Sequence, residues 1–363
     1  MPFAPMRRAL ALMLALPLLP VLAGCAGAPP AAPSRLEPVL AAKFADYNGV
    51  VLVRSARQGA PLVRAYGAAR FEDAAALAPD SRFMIGSVSK WITAVAVLRL
   101  ADEGKLSLDQ PITTWLPELP AASGAVTLRH LLSNTSGIPN GLGQAIKHDR
   151  SLETATLTPA AAAVRFGNGP LAFAPGGQFD YSVTNWLLVG GIVERATGEP
   201  FQQAIRRLVL QPAGALETGF ADAAFATLPR AAIPYASTRA ARKMMAAPPM
   251  VAASGTIYST AADLLKIADA VYGPALLAPA SRQQLLTVQH GPEEYALGGK
   301  VRRTGSGAAA RVLAWEAGAS GGFKTLLAYA PADGRAVILL NNTDMQQSEQ
   351  ASLALALFEA MDK

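Results

Sequence analysis

The sequence predicts a mixed α/β (α+β) fold. One antiparallel sheet is built from N- and C-terminal strands and flanked by helices, with a mostly helical subdomain inserted between them. Three observations predict it. Short apolar, β-branched runs sit near the start of the chain and again in its last hundred residues. Between them, residues 87–103 form an Ala-rich apolar stretch, and residues 107–250 are broken repeatedly by Pro and Gly. Strands at both ends with helices between them suggest one sheet built from the two termini.

Taken in order, Arg7 and Arg8 precede an apolar run from Ala9 to Ala23, the layout of a secretory signal over residues 1–24. The run is shorter than the roughly 20 residues of a spanning helix, and it contains Pro17 and Pro20. It ends Leu22-Ala-Gly-Cys25, which resembles a bacterial lipobox. The resemblance implies lipidation of Cys25, the single Cys of the chain. Anchoring in the bacterial cell envelope, facing the periplasm or the exterior, follows as an expectation. Residues 25–36 are Pro/Ala-rich and read as a tether.

Gly49–Arg54 and Pro61–Tyr66 flank a Gly-containing turn and predict a hairpin. The stretch 87–103 is hydrophobic nearly all round and stops at Gly104, so a buried helix is expected. Helical pieces follow at about 127–133, 159–165, 183–196 and 201–209, and Thr260-Ala-Ala-Asp263 resembles a capping box opening a helix to about 272. Arg311–Trp315, Thr325–Ala330 and Arg335–Asn342 predict strands, with Pro331-Ala-Asp-Gly334 as the last turn. Gln347–Met361 closes the chain as an amphipathic helix. With no internal repeat, residues 37–363 read as one domain, its sheet part about 37–86 and 290–363 and its helical part about 105–250.

Composition narrows the function. The 363 residues carry a net charge of +6 and no dense Lys/Arg block, which argues against nucleic-acid binding. One Cys excludes an intramolecular disulfide, and the three His are not spaced as metal ligands, so no metal or other cofactor is expected.

The chemistry is carried by Phe83-Met-Ile-Gly-Ser87-Val-Ser-Lys90, a Ser-x-x-Lys at the start of the buried helix. Three residues is nearly one turn, so both side chains share a face. A Lys in an apolar pocket loses basicity through desolvation and can take the serine proton. Alone, Ser-x-x-Lys is a weak signal. It is followed in order by Thr127-Leu-Arg-His-Leu-Leu-Ser-Asn-Thr-Ser-Gly137, Pro175-Gly-Gly-Gln-Phe-Asp-Tyr181-Ser-Val-Thr-Asn185, Ala253-Ser-Gly-Thr-Ile-Tyr-Ser-Thr-Ala-Ala-Asp263 and Gly318-Ala-Ser-Gly-Gly-Phe323.

In this order the segments resemble the serine β-lactamase-related family of class C β-lactamases, D-Ala-D-Ala carboxypeptidases and esterases, over about residues 37–361. The resemblance implies an α/β domain and a helical domain with the active site between them. It implies Ser87 as nucleophile, Lys90 as its base partner and Tyr181 as a second acid or base. The backbone N–H groups of Ser87 and Ala319 would form the oxyanion hole, with Gly318 at the strand edge as a substrate contact.

Two departures bear on the substrate. The family's Tyr-x-Asn is Tyr181-Ser182-Val183, with Asn185 one turn later as a partial substitute or a packing residue. Its Lys-Thr-Gly or His-x-Gly is Glu316-Ala317-Gly318. Glu316 in the cleft would repel a substrate carboxylate and raise the Lys90 pKa; alternatively it turns toward solvent. Gly318-Ala-Ser320-Gly-Gly322 matches Gly-x-Ser-x-Gly, but an apolar strand-like run follows and no His comes later, which argues against Ser320 as nucleophile. His130, inside an apolar helical pattern, reads as structural.

The leading expectation is a serine hydrolase acting on a small ester or amide. Turnover of β-lactams or D-Ala-D-Ala peptides, and a non-catalytic envelope binding protein, are the alternatives.

Overall fold

A computed structural model describes residues 1, 35–237, 241–305 and 310–362. The expected leader beyond Met1, Cys25 and nearly all of the tether lie outside the described residues. Arg35–Lys363 is the unit that carries the fold.

The described fold opens with helix α1 (Leu36–Lys43), then strands β1 (Gly49–Arg54), β2 (Leu62–Tyr66), β3 (Ala68–Arg70), β4 (Ala75–Ala76) and β5 (Phe83–Met84). Helix α2 (Val88–Asp102) follows, then α3 (Leu128–Leu132), α4 (Gly141–His148), α5 (Pro159–Phe166), α6 (Val183–Thr197) and α7 (Phe201–Ile205), the last continuing into a π-helical turn. Beyond β6 (Gly219–Phe220) come α8 (Ala252–Gly255), β7 (Ile257–Ser259), α9 (Ala261–Tyr272) and α10 (Pro279–Leu285). The chain ends through β8 (Lys300–Thr304), β9 (Arg311–Ser320), β10 (Phe323–Tyr329), β11 (Ala336–Asn341) and α11 (Gln347–Asp362).

The main sheet has the order β2-β1-β11-β10-β9-β8, with antiparallel neighbours throughout. The two ends of the chain meet at its centre, where Val50 pairs with Leu340 and Leu52 with Ile338. Both strands are buried along their whole length, which is why they read as continuous apolar runs. Alternate side chains serve opposite faces. Val51, Val53, Val337 and Leu339 pack with Leu40 of α1 and Leu357 and Phe358 of α11. Val50, Leu52, Ile338 and Leu340 join the core that contains α2, α6 and α9.

Helix α2 is buried on every side from Val88 to Leu98, as its composition requires. It packs on β9 and β10 on one side and on α6 and α8 on the other, so whatever its first turn carries is held between sheet and helices. Thr260 caps α9 by accepting from the Asp263 N–H at 3.1 Å.

Of the elements that escaped the sequence reading, three did so for clear physical reasons. Strand β8, Lys-Val-Arg-Arg-Thr, is an edge strand whose basic residues suit a solvated border rather than an apolar pattern. Helix α4 begins with Gly and draws its N-terminus from Asn140, whose side chain accepts from the Gly143 N–H. Helix α1 starts at Leu36, where the tether was expected to end.

Candidate active site

Ser87 sits at a sharp junction. Strand β5 ends at Met84, Gly86 takes φ +53°, and α2 begins one residue after Ser87. A Cβ on Gly86 would stand 2.4–2.6 Å from the backbone of Ala319, and one on Gly318 would stand 2.0 Å from the Ile85 carbonyl oxygen. Glycines at both positions let β9 press its backbone against the start of α2. The backbones of Ser87 and Ala319 are thereby brought together. Gly318 itself is buried beneath this contact, so the expectation that it touches substrate is corrected: it is a close-packing glycine.

Lys90, one turn on, is 3% exposed. Its Nζ lies 3.1 Å from Ser87 Oγ and donates to the Ser254 carbonyl at 2.7 Å. The rings of Tyr181 and Trp186 flank it at 5.0 and 5.8 Å. Desolvation pulls the Lys90 pKa below the usual lysine value, with Tyr181 opposing. Glu316 is not among the causes, so the expected rise in Lys90 basicity does not occur.

Tyr181 Oη donates to Ser87 Oγ at 2.7 Å across 94 residues of sequence. The loop that carries it is fastened to the turn after α3. Gly176 N–H donates to Thr135 O at 2.7 Å and Asp180 N–H to Asn134 O at 2.8 Å. Asn134 adopts φ +56°, and its side-chain oxygen accepts from Asn185 Nδ2 and Trp186 Nε1.

That network corrects the reading of Asn185 as a substrate contact. Its amide is 1% exposed and is taken up by Asn134 and by Ser136 Oγ, which donates to it at 2.6 Å. Its work is to hold the loop under Tyr181.

For Glu316 the structure separates the two expected alternatives, because its carboxyl lines a small space shared with Ser87 and Tyr181. It is 4% exposed, so it does not turn to solvent. Burial pushes its carboxyl pKa well above the ordinary range. Ser320 ends β9 and a two-residue turn leads into β10, with no helix following as a nucleophile elbow needs. His130 caps its own helix, its Nδ1 accepting from Thr127 N–H at 3.2 Å.

A cavity of about 410 Å³ opens on Ser87, Lys90 and Tyr181. Leu142, Ile146, Val183 and Val251 make its walls apolar, and the exposed Met244 and Met245 form part of the rim. Leu142 and Ile146 come from α4, which the sequence reading missed. The Ser254 carbonyl was missed too, because a backbone acceptor leaves no residue-type signal. No group of His, Cys, Asp and Glu among the described residues is arranged to hold a metal ion. No helix among them is long and apolar enough to cross a membrane.

This sheet, with a serine, a desolvated lysine and a tyrosine gathered at the foot of a buried helix, defines a class: β-lactamase-like serine hydrolases. The Beta-lactamase family model matches residues 40–361, and the chain belongs to that family. Esterase EstB of Burkholderia gladioli is 39% identical over 193 residues, half of this chain and 48% of that protein. The match spans about half the length of this and other curated relatives. A penicillin-binding protein of Bacillus halodurans superposes with a TM-score of 0.75 at 26% identity, covering 90% of this chain and all of that one. The D-alanine carboxypeptidase AmpC of Burkholderia cenocepacia shares the fold, with a TM-score of 0.72 at 21% identity over 90% of this chain and 97% of its own.

Proposed function

We propose that this protein forms an acyl-enzyme on Ser87 and hydrolyses small esters or amides with an apolar acyl group. The observation that carries the reading is the pair of contacts on Ser87 Oγ, from Lys90 Nζ and Tyr181 Oη.

Neutral Lys90, favoured by desolvation, takes the Ser87 proton as Oγ attacks the substrate carbonyl. The negative oxygen of the tetrahedral intermediate is received by the N–H groups of Ser87 and Ala319. The intermediate collapses by expelling the alcohol or amine, which gains its proton through Tyr181. Water then attacks the acyl-Ser87 ester, and the same groups return the proton to Oγ as the acid departs. The apolar cavity beside Ser87 supports acyl recognition by burial, and EstB, an esterase by name, is the relative that supports ester chemistry.

The likeness to a penicillin-binding protein over its whole length favours a second reading, turnover of β-lactams or D-Ala-D-Ala peptides. Val183 and Glu316 argue against it, since neither supplies an amide or a cation for such substrates.

Purified protein should hydrolyse p-nitrophenyl butyrate well and nitrocefin poorly. Ser87→Ala should lower ester turnover by at least about 1,000-fold and abolish labelling by a fluorophosphonate, read by intact mass. Equal activity in the variant refutes the assignment, and labelling at Ser320 would move the nucleophile there. Faster turnover of nitrocefin than of the ester favours the second reading.

The anchoring proposal rests on the lipobox-like Leu22-Ala-Gly-Cys25. Full-length protein should partition with membranes in a bacterial host, and Cys25→Ser should release it or block its processing. An unmodified Cys25 in soluble wild-type protein overturns this.

A further inference from the structure

A second space meets Ser87: a recess of about 90 Å³ whose walls include Ser87, Tyr181, Tyr295, Gly299 and Glu316. Where the larger cavity is mostly apolar, with Arg150 and Glu153 paired at its edge, this one ends on a buried carboxyl group. Glu316 makes no hydrogen bond or ion pair with any described residue, and burial is the one cause of its displaced pKa. When ionised, its charge would reach the phenols of Tyr272 and Tyr295, whose pKa values burial already raises.

Two glycines let the backbone pass between the recess and helix α2. A Cβ on Gly299 would fall 1.8 Å from one Glu316 carboxyl oxygen and 2.4 Å from the other. A Cβ on Gly298, at φ +80°, would fall 2.8 Å from the Lys90 carbonyl oxygen and 2.9 Å from Ala94 Cβ. The Gly298-Gly299 backbone is thus wedged between α2 and the carboxyl. Tyr181 and Tyr295 stand edge to face beside it, with ring centroids 6.4 Å apart. Lys300, at the same recess, is already paired with Glu293 at 3.3 Å.

We infer that this recess receives a primary ammonium group of the substrate, with Glu316 as its counter-ion and the Tyr181 and Tyr295 rings beside it. The substrates favoured are therefore amino-bearing esters or amides, and the inference rests on the reading that acyl transfer occurs at Ser87. A buried carboxyl without a partner is costly to ionise, and an arriving ammonium offsets that cost. Aromatic rings add a cation–π attraction. The volume suits about three heavy atoms, an amine with a short methylene stem. A substrate carboxylate meets no free cation there.

Binding can be read without turnover in the Ser87→Ala protein by titration calorimetry with butylammonium, butyrate and 1-butanol. Butylammonium should bind at least about tenfold more tightly than either of the others, a difference of about 1.4 kcal/mol. Glu316→Gln in that background should bring it to the level of 1-butanol, while Glu316→Asp should retain part of the preference. Butyrate binding as tightly as butylammonium, or an unchanged affinity in Glu316→Gln, overturns the inference. If Glu316→Gln does not fold, the ranking of the three probes on the Ser87→Ala protein still decides. Failure of the Ser87 reading shows separately, as wild-type protein that neither hydrolyses esters nor takes a fluorophosphonate.

Discussion

Among the buried ionisable groups in the walls of the two spaces that meet at Ser87, Lys90 and Glu316 are treated differently. Lys90, on the apolar cavity, is pulled toward its neutral form but has the Ser254 carbonyl, Ser87 Oγ and two aromatic rings around it. Glu316, on the small recess, is pushed toward its neutral form and has no hydrogen-bond partner among the described residues. Burial moves both toward neutrality, because a charge of either sign loses its hydration. The partners separate their roles: the lysine is oriented for proton transfer within the protein, while the carboxyl is left for a group that comes from outside.

The sharpest way to break that contrast is to fix the charge of Lys90. Lys90→Arg keeps the cation but cannot give up its proton at working pH. It should lose about 10²- to 10⁴-fold in kcat/KM on p-nitrophenyl butyrate. In wild type, kcat/KM should rise with pH through a group below the usual lysine value of about 10.4, because the base must be neutral. An arginine variant within threefold of wild type would remove Lys90 from proton transfer.

A second comparison uses stability. For Glu316 the folded pKa is raised, so its contribution is intact below the unfolded value of about 4.3 and is lost as pH rises through the folded pKa. For Lys90 the folded pKa is lowered, so its contribution is intact above about 10.4 and is lost as pH falls through the folded pKa. Within its window each group changes stability by roughly 1.4 kcal/mol per pH unit, with opposite sign. Glu316→Gln cannot titrate, so its Tm relative to wild type should climb between pH 5 and pH 8. Parallel Tm curves across that range would mean that Glu316 titrates as an ordinary exposed acid.

The smallest effect expected sharpens the difference in lining. Val183→Phe should crowd the apolar cavity and lower kcat/KM for p-nitrophenyl hexanoate about tenfold relative to the acetate. An unchanged ratio of the two esters would place the acyl chain elsewhere.

Residue pattern alone determined much of this molecule, wherever the cause is local. The apolar runs at β1 and β11, the all-round apolar helix α2, the cap at Thr260 and the one-turn spacing of Ser87 and Lys90 all follow from neighbours within a few residues. The ordered segments from Thr127 to Phe323 were enough to identify the family. Tertiary structure decided what depends on distant chain. It set Tyr181 on Ser87 across 94 residues and turned the Asn185 amide onto Asn134 and Ser136. It also placed the Ser254 carbonyl on Lys90. The state of Glu316 shows the reason most plainly. A carboxylate reads as an anion in any sequence, but its protonation depends on how much water the surrounding segments exclude and whether any of them returns a partner.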